Sequence, residues 1–140
     1  MKILVLCTGN TCRSQMAEGI LRSLDRTIDV FSAGTRHEEI VNPNAVAVMK
    51  EIGIDISGGI PKDVKNFVKD SFDYVITVCD GAKEICPVFT GSVKHRLHIG
   101  FDDPAGAKGT EEEVLGVYRR VRDEIQTAFK KFYELELKKS

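Results

Sequence analysis

The sequence predicts an α/β protein: a single three-layer domain, residues 1–140, with a central four-stranded parallel sheet flanked by helices. Three observations carry this reading. Short runs such as Ile-Leu-Val-Leu are aliphatic without alternation, as in strands covered on both faces. Stretches with apolar residues at three- and four-residue spacing lie between them. The two patterns alternate along the chain without a repeat, a low-complexity segment or a linker, and β-α-β-α alternation builds a doubly wound sheet.

Composition narrows the class further. The chain has 140 residues, with 20 Lys+Arg, 21 Asp+Glu and 3 His, for a net charge of -1. A chain of this length buries roughly two thirds of its unfolded surface and folds without staples. The balanced charge argues against nucleic acid or a membrane surface as partner. No apolar run approaches the ~18 residues of a membrane span. The apolar residues 3–6 are too few for the core of a signal peptide. The expected location is the cytoplasm, where four cysteines point to catalysis or redox chemistry rather than structural disulfides. A monomer is expected.

Residues 2–6 read as the first buried strand. A Gly-containing turn, residues 7–13, follows, then a helix with Met16, Ala17, Ile20, Leu21 and Leu24 on one face. Residues 28–31 form the second strand, ended by Ser32-Ala33-Gly34. Asn42-Pro43 starts a helix with proline in its first turn. Its apolar positions are Ala45, Val46, Val48, Met49 and Ile52, and Gly53 suits the C-terminal cap. Gly58-Gly59-Ile60-Pro61 is a turn, and residues 64–68 form a short helix. Residues 74–78 are the third strand, β-branched and apolar throughout. Residues 80–93 are loop-rich, residues 96–99 the fourth strand, and residues 101–106 loop. From Glu111 a long amphipathic helix buries Val114, Tyr118, Val121, Ile125, Phe129 and Phe132. Ligands of such sheets bind beyond the carboxyl ends of the strands.

The loop after the first strand reads Cys7-Thr8-Gly9-Asn10-Thr11-Cys12-Arg13-Ser14. A short strand-to-helix loop turns successive backbone N–H groups inward and aims a helix N-terminus at its centre, and both bind anions. Gly9 permits tight curvature with positive φ, and Asn10 tolerates the left-handed region. Arg13 adds a planar fork suited to tetrahedral oxyanions. The same positive surroundings favour the thiolate of Cys7. Ser14 either caps the helix or hydrogen-bonds Cys7. The plain alternative is a buried Cys beside an exposed Arg, and the position between an apolar strand and an amphipathic helix weighs against it.

The run from Cys7 to Gly19, Cys-Thr-Gly-Asn-Thr-Cys-Arg-Ser-Gln-Met-Ala-Glu-Gly, resembles the signature loop of the low-molecular-weight tyrosine phosphatase superfamily. It is closer still to the thioredoxin-coupled arsenate reductases built on that fold. The likeness extends to Ser32-Ala33-Gly34, Asn42-Pro43, Asp55-Ile56-Ser57, the Cys79/Cys86 pair and Gly100-Phe-Asp-Asp-Pro-Ala105. It implies a low-molecular-weight phosphatase-like fold of flavodoxin-like topology.

Cys79 follows the third strand, so the carboxyl-end rule puts it on the same rim as Cys7. Cys86 lies in a polar stretch before Pro87, where a packing role is implausible. A disulfide needs Cα atoms about 4.4–6.8 Å apart. Were residues 80–86 helical, Cys79 and Cys86 would stand ~10 Å apart, so the bridge would require unwinding, which Gly81 would ease. Residues 80–90 are therefore expected to change order on oxidation. The three His (His37, His95, His98) lack ligand spacing to the cysteines, and no metal site is expected.

The resemblance implies the chemistry. Cys7 attacks arsenate, Cys79 resolves the adduct as a Cys7–Cys79 disulfide, and Cys86 moves the disulfide to Cys79–Cys86 for thioredoxin to reduce. Asp103, in Asp103-Pro104, matches the family's general acid; the alternative for an Asp-Pro is a turn. Asp102 reads as turn-forming or solvated. Residues 8–14 would hold the oxyanion, with phosphate or sulfate as mimics of arsenate. Cys12 packs, or forms an off-pathway disulfide with Cys7. Glu18 and Ser32 match positions that help hold a potassium ion in some relatives, but Gly58-Gly59-Ile60-Pro61 departs from the polar residues used there. No tightly bound cofactor is expected; reducing equivalents come from thioredoxin.

Two other functions compete. A phosphatase would use Cys7, Arg13 and Asp103 and need neither Cys79 nor Cys86. Ala105-Gly106-Ala107, where phosphotyrosine phosphatases of this fold carry aromatics, argues against a phosphotyrosine slot. A non-catalytic arsenic-binding protein would give Arg13 and Asp103 no purpose.

Overall fold

The computed structural model describes residues 1–35, 40–80 and 89–138. Four strands, β1 (Lys2–Cys7), β2 (Asp29–Gly34), β3 (Ser71–Thr77) and β4 (Ser92–His98), form one sheet in the order β2-β1-β3-β4. Every neighbouring pair is parallel. Three α-helices, α1 (Arg13–Leu24), α2 (Pro43–Glu51) and α3 (Glu111–Phe132), connect and cover it. A 3₁₀ turn spans Val64–Phe67, another Pro104–Gly106, and a π-helical turn, Tyr133–Leu137, ends α3.

Both sheet faces are buried, as the unbroken aliphatic run of β1 requires. Ile3, Leu4, Val5 and Leu6 are each fully inaccessible. Ile3 and Val5 pack with Met16, Ile20, Met49, Val121, Ile125 and Phe129 from the three helices. Leu4 and Leu6 face a smaller cluster of Val64, Phe72, Val75 and Phe89. Phe72 and Phe89 meet edge to face at 5.5 Å between centroids. Such pairs add about 0.5–1.5 kcal/mol beyond the burial of their area.

Helix starts follow their caps. Asn42 accepts from the N–H groups of Asn44 and Ala45, with Pro43 at the first helical position. Thr110 and Glu113 close a capping box at α3. Gly53, just past α2, has φ 79, the left-handed geometry of a helix stop. Arg122, though 8% exposed, is satisfied by Val48 O and Glu51 Oε1 at 2.8 Å each, and so ties α3 to α2.

Three strands differ from their sequence reading: β3, read as 74–78, runs Ser71–Thr77, and β2 and β4 differ as follows. β2 continues through Ser32-Ala33-Gly34, which read as its end. Gly34 is bare because the loop after β1 passes over it: a Cβ there would sit 2.3 Å from Thr8 O. β4 starts at Ser92 rather than 96 and ends before Ile99. It is the sheet's edge and largely exposed, so it lacks the apolar signal that marks buried strands. The expected change of order across residues 80–90 falls mostly on residues 81–88, which lie outside the described residues. Among the described residues, no helix is long and apolar enough to cross a membrane.

Several surface carboxylates are held below the usual carboxylate range. Hydrogen bonds from Thr27 do this for Asp25, from Arg119 for Glu51, from Ser57 for Asp55 and from the Lys2 N–H for Asp73. A depressed carboxyl stabilises the fold above its unfolded value, and that stabilisation is lost as pH falls through its folded value. The melting temperature should hold between about pH 7 and 5 and fall below about pH 4. Glu51→Gln should flatten that acid limb; an unchanged slope would show that the Glu51 contacts carry none of it.

Candidate active site

The loop between β1 and α1 is the centre of the site. Cys7, the last residue of β1, is 2% exposed. Its Sγ lies 2.8 Å from Ser14 Oγ and accepts from the Asn10 N–H at 3.3 Å. Of the two roles open to Ser14, contact with the sulfur is the one realised. No side chain caps α1, whose N-cap is Cys12, and no acidic residue stands in its first turn. The first N–H groups of the helix are thus uncapped by any side chain, and with the helix dipole behind them they are chemically able to receive an anion.

The left-handed residue of the loop is Asn10, with φ 57. Gly9, the other expected site of positive φ, does not adopt it. An asparagine in this region is held by its hydrogen bonds, and Asn10 has them on every side. Its Nδ2 donates to Ser14 Oγ at 2.8 Å, while its Oδ1 accepts from Lys62 N at 2.8 Å. Gln15 Nε2 donates to both Asn10 O and Oδ1, at 3.1 and 3.3 Å. Thr11 O accepts from Asn42 N at 2.9 Å, fastening the loop to the start of α2. Thr8, Gly9 and Thr11 remain partly accessible at the rim.

Arg13 is 3% exposed, and its Nη1 donates to Phe101 O at 3.1 Å. Its Nη2 stands 3.6 Å from Asp103 Oδ2, whose side chain is 48% exposed. The Asp103 carboxylate also accepts from Ala105 N at 3.0 Å, so the turn role of the Asp-Pro is realised beside any catalytic one. Asp102, read as turn-forming or solvated, is about half exposed, and its Oδ2 also pairs with Arg120 at 3.2 Å.

The remaining cysteines differ in kind. Cys12 is 4% exposed. Burial above all, then the nearby Asp103 and Cys7, pushes its thiol far above the ordinary range, which makes it a packing residue at neutral pH. Cys79 is fully buried two residues past β3. β3 lies beside β1, and Val78 N donates to Leu6 O at 2.9 Å, so Cys79 and Cys7 end neighbouring strands on one rim. Cys79 is disulfide-bonded, while Cys7 and Cys12 are free. Cys86 lies outside the described residues.

Two participants had no signature in the residues singled out from sequence. Gln15 sits three residues past the N-cap, where a Gln commonly reaches back toward its own helix start; that spacing was a usable signal. Lys62 acts through its backbone N–H, which no side-chain pattern reveals. Behind the loop, Ser32 Oγ donates to the buried Glu18 carboxylate at 3.2 Å. Among the described residues no group of three or more His, Cys, Asp or Glu side chains is placed to hold a metal ion.

The family model described as low molecular weight phosphotyrosine protein phosphatase matches residues 2–140. An arsenate reductase of Halalkalibacterium halodurans is 52% identical over 133 residues, 94% of either chain. One of Bacillus subtilis is 48% identical over the same span and shares. The solved structure of an arsenate reductase in the phosphate binding state superposes with a TM-score of 0.79 at 33% identity, covering 95% of this chain and 96% of that one.

Two variants test the geometry. Gly34→Ala should cost about 1–3 kcal/mol by overpacking, because the new methyl meets the backbone oxygens of Thr8 and Cys7. It should also weaken phosphate binding; a stable protein with unchanged phosphate affinity would show that the loop yields freely. Ser14→Ala should fold normally. It should slow iodoacetamide alkylation of Cys7 roughly tenfold, as expected for removing a close polar partner of the reacting sulfur, and equal rates would assign Ser14 to packing.

Proposed function

The chain belongs to the low molecular weight phosphotyrosine protein phosphatase family, and from that premise we propose that it is a cytoplasmic, monomeric arsenate reductase regenerated by thioredoxin. The observation that carries the reading is Cys79. A phosphatase needs a nucleophile, an arginine and an acid, and has no use for a second cysteine beside the first. Here the second cysteine ends the strand next to that of Cys7.

In this reading the N–H groups of residues 8–14 and Arg13 bind arsenate over Cys7. The Cys7 thiolate attacks As(V), and the departing oxygen leaves as water with a proton from Asp103. The Cys79 thiolate then attacks Cys7 Sγ. The S–As bonding pair passes to arsenic, so arsenite departs as As(III) and a Cys7–Cys79 disulfide remains. Cys86 attacks Cys79, freeing Cys7, and the thioredoxin dithiol reduces the Cys79–Cys86 bridge. A free Cys7 with a disulfide-bonded Cys79 fits the stage before that last reduction.

Phosphoester hydrolysis is the second reading, since Cys7, Arg13 and Asp103 suffice for it. The rim weighs against a phosphotyrosine substrate. Ala105 and Gly106 are small and exposed there, and the large hydrophobic side chains left exposed among the described residues include no aromatic ring.

Arsenate-dependent NADPH oxidation with thioredoxin and thioredoxin reductase decides between them. Wild type should turn over, and Cys86→Ser should lose at least ~100-fold in steady state, the scale expected when a covalent step is removed. It should still release one arsenite per enzyme. Full turnover in Cys86→Ser would remove Cys86 from the relay, and aryl phosphate hydrolysis with no arsenate turnover in either would make the protein a phosphatase.

A further inference from the structure

The apolar stripe of α3 contains one hydroxyl that the core does not need. Among Val114, Tyr118, Val121, Ile125, Phe129 and Phe132, a bare phenyl ring would fill the place of Tyr118. Tyr118 is 2% exposed, in the cluster that also holds Cys12, Met16 and Ala45. A buried phenol needs a partner, and Tyr118 Oη accepts from Asn42 Nδ2 at 3.0 Å. Burial above all holds the Tyr118 hydroxyl above its ordinary range, so it is neutral at working pH.

Asn42 is engaged through all four of its polar groups. Its Oδ1 caps α2, accepting from Asn44 N at 2.9 Å and from Ala45 N at 3.4 Å. Its carbonyl accepts from Val46 N at 3.1 Å, and its N–H donates to Thr11 O at 2.9 Å. A serine or an aspartate would cap α2 as well. What asparagine adds is the amide nitrogen, and that nitrogen goes to Tyr118.

The other end of this chain of bonds is the oxyanion loop. Every peptide among the described residues is trans. In a planar trans peptide the N–H points opposite to the C=O. A Thr11 carbonyl held toward the start of α2 thus turns the Cys12 N–H away from α2, back toward the loop. Cys12 is held on its other side too, because its carbonyl accepts from Met16 N at 2.9 Å.

We propose that Tyr118, acting through Asn42, sets the direction of the Cys12 N–H so that this group meets the bound oxyanion. Tyr118 and Asn42 are on this account positioning residues, and both act through the Thr11–Cys12 peptide. The inference rests on the reading of residues 8–14 as the oxyanion site and ties one donor of that site to α3. Loss of the hydroxyl leaves the cap of α2 in place. It frees the Asn42 side chain to rotate, and the Thr11 carbonyl loses a rigid donor.

Inorganic phosphate is the probe, so arsenate turnover does not enter and a failure of the reductase reading leaves the test intact. Affinity is measured by calorimetric titration well below the melting temperature, and the Cys12 amide resonance is followed in nitrogen-labelled protein. In the wild type phosphate should move that amide proton downfield. Tyr118→Phe keeps the ring and loses the hydroxyl; Asn42→Ser keeps a cap and loses the amide nitrogen. Each should bind phosphate roughly fivefold more weakly, the scale of one neutral hydrogen bond, and show a smaller Cys12 displacement at saturation. The double variant should match either single within about twofold, because both changes remove the same bond. A role in packing alone would lower the melting temperature and leave the affinity of the folded protein unchanged. Either single variant binding like wild type, a double variant whose loss is the product of the two, or a wild-type Cys12 amide indifferent to phosphate would each overturn the proposal. A wild type that binds no phosphate would overturn it together with the oxyanion-loop reading.

Discussion

The site depends on a single backbone conformation, the positive φ of Asn10, and on the hydrogen bonds that keep it. A non-glycine residue enters the left-handed region at a cost of about 1–2 kcal/mol. Here the cost is offset from three directions: Ser14 within α1, Gln15 one turn into the same helix, and Lys62 from the segment before β3. The turn at Asn10 sends its own N–H toward Cys7 Sγ. Without it Cys7 Sγ would lose a donor and Ser14 one of its two partners. The strand, the helix and the distant segment are therefore joined at one amide group.

The three helices divide their N-terminal N–H groups differently. α2 and α3 satisfy theirs with Asn42 and with the Thr110–Glu113 box. α1 leaves them without a side-chain cap, at the end of the most deeply buried strand. A cap contributes about 1 kcal/mol, so α1 begins without a local stabilisation that α2 and α3 have. The core supplies what is missing: α1 is packed along its length through Met16, Ala17, Ile20 and Leu21, each at most 1% exposed. The ion pair of Arg13 with Asp103 and its bond to Phe101 O hold the guanidinium over the loop, so little is left to organise on binding.

Much of this was legible in the residues. β1, β3 and the three α-helices follow from aliphatic runs, helical spacing and caps, because burial and capping leave patterns in side chains. Cys7 and Cys79 were placed on one rim by the neighbouring strands they follow, and Arg13 by the loop that opens α1. What escaped reading lies in two physical categories. β4 is polar because it is an edge, so its first four residues carry no apolar signal. The end of β2 looked like a stop because small residues usually end strands; here Gly34 makes room for the carbonyl of Thr8. Lys62 escaped because its contribution to the loop is a main-chain donor, and any non-proline residue has one.

The two edges of the sheet have a consequence for the protein in a crowded cell. An open edge offers unpaired N–H and C=O groups to any other chain, and long flat apolar edges seed aggregates. At one border β4 presents Ser92, Lys94, Arg96 and His98, charged or polar and exposed. At the other, Arg22 covers the Val30 carbonyl and Asp63 bridges Gly34. Polar side chains thus solvate much of one border, and a guanidinium and a crossing segment cover parts of the other. A small parallel sheet, slow to complete because its partners are distant in sequence, gains from this two borders less inviting to another chain's strand.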